Sequence, residues 1–317
     1  MPLEQRDFYL KFGGQPFPQP QVAAANQDLQ EFAHLLEAEG VIVRRPEVVD
    51  HARGFRTPVW ESPCGLYGAM PRDGLLVVGD EIIEAPMAWR SRYYEMDAYR
   101  PLLKYYFQQG AKWTAAPKPQ LSEELYNPLY AETAEDEPLK YAITEFEPTF
   151  DAADFLRCGR DLFVQKSHVT NSFGIDWLRR HLGEKYTVHE LQFNDRHPMH
   201  IDATMMPLAP GKLLVNPERV KKIPHIFRGW DILTAPPSSI PDDHTLYMTS
   251  RWININILML DEKRVVVERH EEPLIAALKD WGFEPLPCSF RNFNSFGGAF
   301  HCATLDIRRR GTLQSYF

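Results

Sequence analysis

Short apolar runs separated by turn residues dominate the chain, and they recur in one order. In "DGLLVVGDEIIEAP" the runs Leu75–Val78 and Ile82–Ile83 flank Gly79-Asp80, the mark of a β-hairpin. "YYEMDAYRPLLKYYFQQG" follows with helical spacing; Pro101 predicts a kink or a restart, and Gly110 a C-terminal stop. The order returns near the end. "ININILMLDEKRVVVERH" predicts strand, Asp-Glu-Lys turn and strand, "EPLIAALKDWG" a helix stopped by Gly282, and "FEPLPCSF" a short strand. Between them, "DATMMPLAPGKLLVNPER" predicts a hairpin turning at Pro210-Gly211, and "GIDWLRRHLGEKY" a helix leading into the strand "TVHEL". Near the start, "NQDLQEFAHLLEAEG" predicts a helix capped by Asn26 or Asp28 and ended by Gly40, with "VIVRRP" as a following strand. The repeating unit is strand–strand–helix–strand without sequence identity, an architectural repeat of α/β class. No linker or low-complexity tract divides the chain, so residues 1–317 are expected to form one domain.

Composition narrows the function classes. A formal net charge of −8 disfavours nucleic acid, whose phosphates need a basic face, and suits a cationic small molecule better. Cys64, Cys158, Cys288 and Cys302 are scattered without CxxC spacing, which predicts reduced thiols rather than a disulfide framework or a zinc site. No apolar run is long enough to span a bilayer and no signal peptide opens the chain, so no membrane partner and a cytoplasmic location are expected. There is no GxGxxG after a strand, no GxxxxGK[ST], no HExxH and no GxSxG. Thiol chemistry is the best remaining route, without metal or cofactor.

Three stretches are dense in reactive side chains: "EFEPTFDAADFLRCGRDLF" with Asp151 and Asp154, "RHPMHIDATMMPLAPG" with His200 and Asp202, and "GGAFHCATLDIRRR" with Cys302. In a strand, His200 and Asp202 would share a face. With Cys302 and Asp151 they compose thiol, imidazole and carboxylate, the set of nucleophile, base and orienter. A surplus of aspartate would oppose an oxyanion, but it can grip a planar guanidinium bidentately. Guanidine chemistry therefore fits better than peptide chemistry. Blander readings stand beside this one. Cys302 could fill a core, and His200 could be a satisfied structural histidine. Asp151 could cap a helix with Asp154 in its first turn, and Arg308–Arg310 could form a solvated or ion-paired face.

The stretches "MPRDGLLVVGDEIIEAPMAWRSR", "AKWTAAPKP", "EFEPTFDAADF", "PMHIDAT", "NPERV", "LMLDEKRV" and "GGAFHCATLDIRRRGTLQSY" occur in order from about Gly40 to the C-terminus. Together they resemble the arginine:glycine amidinotransferase family. The resemblance implies a pentein fold: five ββαβ modules with five-fold pseudosymmetry, an α/β propeller around a central active-site channel. By motif match it implies Cys302 as nucleophile, His200 as general acid/base and Asp151 as its carboxylate partner. Asp73 and Asp202 would clamp the guanidinium. Arg219 in "NPER" and Thr249-Ser250 in "MTSRW" would hold the α-carboxylate end of arginine, Thr249 standing where the family often has serine. His197 and Met199, in "HPMH", would border the acceptor.

Two departures accompany the resemblance. The family's opening strand, of "WDPLEEVIVG" type, has no counterpart before Met1: either the start is misassigned or truncated, or one strand of the first module is replaced, and an incomplete module would leave an exposed edge. His197 also stands where glycine-using members tend to have asparagine, while Pro198-Met199 is kept. The expected function is transfer of the amidino group from L-arginine to an amine, glycine preferred, giving guanidinoacetate and ornithine through an amidino-cysteine. The alternatives are a larger amine in natural-product biosynthesis, a deiminase-like hydrolase, and a non-catalytic binding protein. Small-molecule substrates and a homodimer are the expected partners.

Overall fold

A computed structural model describes residues 15–130, 137–247, 249–311 and 313–317. The described residues divide into two compact units, one drawn from 46–201 and 305–317, the other from 15–45 and 202–304.

In the first unit, β1 (Phe55–Arg56) and β2 (Glu61–Ser62) pair as a small antiparallel ribbon. Two three-stranded sheets follow. In the first, β3 (Leu75–Val78) runs antiparallel to β4 (Glu81–Glu84), and β4 runs parallel to β5 (Lys112–Ala115). In the second, β6 (Phe155–Cys158) and β7 (Asp161–Gln165) are antiparallel and β8 (Thr187–Leu191) joins β7 in parallel. A parallel neighbour needs a crossover. Helices Arg100–Gln108 and Ser172–Leu182 supply it. Pro101 restarts the helical run: Glu95–Tyr99 is a 3₁₀ turn, and the α-helix begins at Arg100, where a missing N–H costs nothing. Strand β3 is buried on both faces. Leu76 and Val78 pack with Phe150, Phe155 and Ile175, while Leu75 and Val77 pack with Met96, Tyr99 and the tail residues Leu305 and Ile307.

The second unit repeats the pattern. Strands β9 (Met205–Ala209), β10 (Lys212–Val215) and β11 (Asp231–Thr234) form one sheet, and β12 (Leu258–Met259), β13 (Arg264–Glu268) and β14 (Glu284–Cys288) the other. Helix Glu272–Asp280 makes the second crossover, but the first carries only a 3₁₀ turn, His225–Phe227. Helix Gln19–Ala38 belongs here: Phe32 meets the Phe290 and Phe300 rings with centroids 5.2 and 4.9 Å away.

Several sequence-based expectations are corrected. The first helix begins at Gln19, not near Asn26, because Pro18 and Pro20 set its opening turn. Asp28 is therefore no cap; it is buried and accepts from Asn292 and the Phe293 N–H. "VIVRRP" is not a strand among the described residues: Ile42 is 81% exposed and no ladder includes the segment. "ININILML" opens in a 3₁₀ turn, Arg251–Ile255, and is strand only at Leu258–Met259. Asp151 and Asp154 open no α-helix; Ala152–Asp154 is one 3₁₀ turn entering β6. The expected shortage of a strand in a first module bears on residues 1–14, which lie outside the described residues. No helix among the described residues is long and apolar enough to cross a membrane.

Candidate active site

Each three-stranded sheet is entered through a short helical turn: Pro71–Gly74, Ala152–Asp154, Ile201–Ala203 and Arg251–Ile255. In or directly beside these turns lie Asp73, Asp151, Asp154, Asp202 and Asn256, all buried. A turn at the head of such a strand carries polar side chains where the strand itself places mostly apolar ones.

In the first unit these groups gather around His200. His200 Nε2 lies 3.0 Å from Asp151 Oδ2, and Nδ1 lies 3.7 Å from Asp73 Oδ1. The backbone of His200 is left-handed, φ +58, which ends any strand alternation there and turns the ring toward these carboxylates. Behind Asp151, Asp154 Oδ2 accepts from the hydroxyls of Ser167 and Thr170, both 2.6 Å away, and Thr170 Oγ1 also accepts from the Asp151 N–H. Arg92, 6% exposed, lies with Nη1 3.0 Å from Asp73 Oδ2 and 3.5 Å from Asp151 Oδ2. Glu95 holds its other edge bidentately, at 2.7 Å twice.

Charge in this cluster is held against burial. Desolvation opposes the His200 imidazolium, but Asp73, Asp151 and Asp154 outweigh it and raise the group to about 10. Burial lifts the Asp154 carboxyl to about 6 despite the nearby imidazole and two hydroxyl donors. It lifts Glu95 to about 7 against the pull of Arg92. At neutral pH the imidazole is thus protonated, and it faces carboxylates on both sides.

In the second unit, Cys302 follows Gly297, whose φ of +95 few other residues adopt. Its Sγ donates to Asp202 Oδ2 at 3.6 Å, and His301 Nδ1 lies 2.7 Å from the same oxygen. Asn256 fixes the loop: its Oδ1 accepts from the N–H groups of Cys302 (3.1 Å) and Ala299 (3.2 Å), while its carbonyl accepts from His301 N–H. Asn256→Ala would leave two N–H groups without that acceptor, each costing about 1–3 kcal/mol when buried. Denaturant unfolding is expected to show a destabilised chain with an unchanged slope.

The sequence-based site residues are thus found in two settings. His200, Asp151 and Asp73 meet in the first unit. The pairing of His200 with Asp202 on one strand face is corrected: a 3₁₀ turn separates them, and Asp202 instead meets Cys302 and His301. Arg219 reaches the Ala203 carbonyl and Thr204 hydroxyl, each 3.4 Å away. Thr249 and Ser250 are half-buried ahead of the Arg251–Ile255 turn. Met199 packs on the cluster of Trp60, Ala88 and Leu121, and the His197 N–H donates to Asp195. Arg92, Glu95 and Asn256 were not legible as site residues. The one available signal was positional, for Asn256, since it precedes its sheet as the aspartates precede theirs. Among the arginines of "RRR", Arg309 pairs with Asp306 at 2.7 Å, and Arg308 and Arg310 are exposed. The bland reading of that run holds.

No protein-family model matches the chain. Individual relatives do. An L-arginine:L-lysine amidinotransferase of Pseudomonas savastanoi pv. phaseolicola is 61% identical over 316 residues, covering 100% of this chain and 87% of the relative. The mitochondrial glycine amidinotransferase of Xenopus tropicalis is 52% identical, covering 98% of this chain and 75% of its own. The solved structure of an amidinotransferase from the saxitoxin biosynthetic pathway of Microseira wollei superposes with a TM-score of 0.96 at 56% identity, covering 100% of this chain and 90% of that one. With this fold and these relatives, the chain belongs to the amidinotransferase family of pentein fold, enzymes that are transferases of the amidino group.

Proposed function

We propose that the chain moves the amidino group of L-arginine to the amine of an amino acid through a covalent amidino-cysteine at Cys302. Asp202 and Asp73 grip the substrate guanidinium, whose planar N–H edges suit carboxylates. Its positive charge beside the sulfur is the condition under which a thiolate nucleophile forms. The Cys302 sulfur bonds to the guanidinium carbon. The bond from that carbon to the arginine δ-nitrogen breaks, and His200 gives this nitrogen its proton, so ornithine departs. The acceptor amine then attacks the amidino carbon and gives a proton to the now neutral His200, and the carbon–sulfur bond breaks to restore the thiolate. Asp151 orients the imidazole throughout, and Arg219, Thr249 and Ser250 hold the arginine α-carboxylate. The observation that most supports this scheme is the sulfur of Cys302 held 3.6 Å from a buried carboxylate, the group a guanidinium would bind.

For the acceptor we favour the ε-amine of L-lysine over glycine. Two facts support it: the 61% identity to a lysine-using relative against 52% to a glycine-using one, and His197 in the place where glycine users tend to have asparagine. The test supplies guanidino-labelled arginine with lysine, glycine or no amine and follows product masses. Labelled homoarginine in preference to labelled guanidinoacetate is the expected result. Preference for glycine would overturn the acceptor, and labelled citrulline or urea without any amine would overturn transfer itself.

A further inference from the structure

Four side chains close a ring in the first unit. Arg92 Nη1 lies 3.0 Å from Asp73 Oδ2 and 3.5 Å from Asp151 Oδ2; His200 spans the same two aspartates, Nε2 at 3.0 Å and Nδ1 at 3.7 Å. Two carboxylates are therefore each shared by two cations, one of which belongs to the scheme above and one of which has no part in it. We propose that Arg92 is a positioning residue for amidino transfer: its buried guanidinium holds Asp73 and Asp151 at the spacing His200 spans, and it keeps the imidazolium able to give up its proton.

Geometry and charge support this together. The groups facing His200 are Asp73, Asp151 and Asp154, with Arg92 and Glu95 behind them. Three carboxylates alone would bind the imidazole proton too tightly for a residue that must release it in each turnover. A resident cation touching two of them weakens that hold. The planar fork of arginine fits the task, since Nε and Nη2 face Glu95 while Nη1 faces the aspartates. An ammonium could not serve both sides. Glu95 in turn fixes the fork and offsets part of its charge.

The proposal rests on His200 acting as acid and base, and its test separates the two. The imidazole of His200 is titrated by NMR in the wild type, in Arg92→Met and in Glu95→Gln, with His200→Gln to assign the signal. The ornithine-releasing and acceptor-consuming half-reactions are timed in the same proteins. Arg92→Met is expected to raise the His200 midpoint and to slow ornithine release, the step in which the imidazolium must give up its proton, by about tenfold more than the acceptor half-reaction. Glu95→Gln, compared above the pH at which Glu95 ionises, is expected to lower the midpoint. Midpoints that do not move, or that move the same way in both variants, would overturn the proposal. If Arg92→Met does not fold, Glu95→Gln decides: a midpoint at or above the wild-type value overturns it. The titration needs no turnover, so a wild-type chain that fails to make ornithine would refute the transfer scheme and leave the titration result standing.

Discussion

Cys302→Ala is expected to abolish ornithine formation from L-arginine, a loss of about 10⁴-fold or more, since removing a nucleophile removes the covalent route entirely. The fold should survive. The substitution deletes one buried atom, worth on the order of 1 kcal/mol, and the loop is held by backbone bonds to Asn256 that alanine keeps. Cys158→Ala is the matched control. Cys158 is fully buried, and burial pushes its thiol far above the ordinary range, with Asp161 adding to the effect. Cys288, pushed up to about 12 mainly by burial, is similar. These two thiols fill a core. Their replacement should lower the unfolding midpoint with turnover intact, whereas at Cys302 turnover should vanish with the midpoint nearly intact. Stable ornithine release by Cys302→Ala would rule the scheme out.

His200→Ala should lower turnover by about 10²–10⁴-fold, the range for loss of a general acid/base. The pH profile gives a sharper test. Because His200 is raised to about 10, the alkaline limb of kcat/KM should fall near that pH rather than near the ordinary imidazole value of 6.5. Asp151→Asn deletes one of the charges that hold the proton and should move this limb toward lower pH. The same shift acts on stability. A group whose folded-state value is raised stabilises fully below its unfolded value and loses that contribution as pH rises through the folded one. The contribution of His200 should therefore be complete below about pH 6.5 and gone above about pH 10. An alkaline limb near neutrality, unmoved by Asp151→Asn, would mean that the ring is not in the transfer path.

What the sequence disclosed was local. The β3–β4 hairpin was legible because β-branched residues flank Gly79, which takes the φ of +60 the turn needs. The helices at Arg100 and Glu272 were legible from apolar spacing and from terminal Gly110 and Gly282, both left-handed. What stayed hidden depended on partners distant in sequence. "VIVRRP" has every propensity for a strand but gains no ladder. "HID" reads as alternation, yet Ile201–Ala203 folds as a turn, so His200 and Asp202 join different clusters. Arg92 looks like any arginine in "RSRYYE" until Asp73, Glu95 and Asp151 are found around it. The motif residues Asp73, Asp151, His200, Asp202 and Cys302 were recognisable through family likeness. Their charge environment, above all a half-buried imidazolium between carboxylates, was not.

The most direct measurement is a mass analysis of the enzyme caught between half-reactions. The chain is mixed with L-arginine without an acceptor, quenched in acid and digested. The expected result is one amidino group on the peptide carrying Cys302, formed in step with ornithine and discharged when lysine is added before the quench. Ornithine or product forming while that peptide stays unmodified, or an amidino group carried on another residue, would contradict covalent transfer through Cys302.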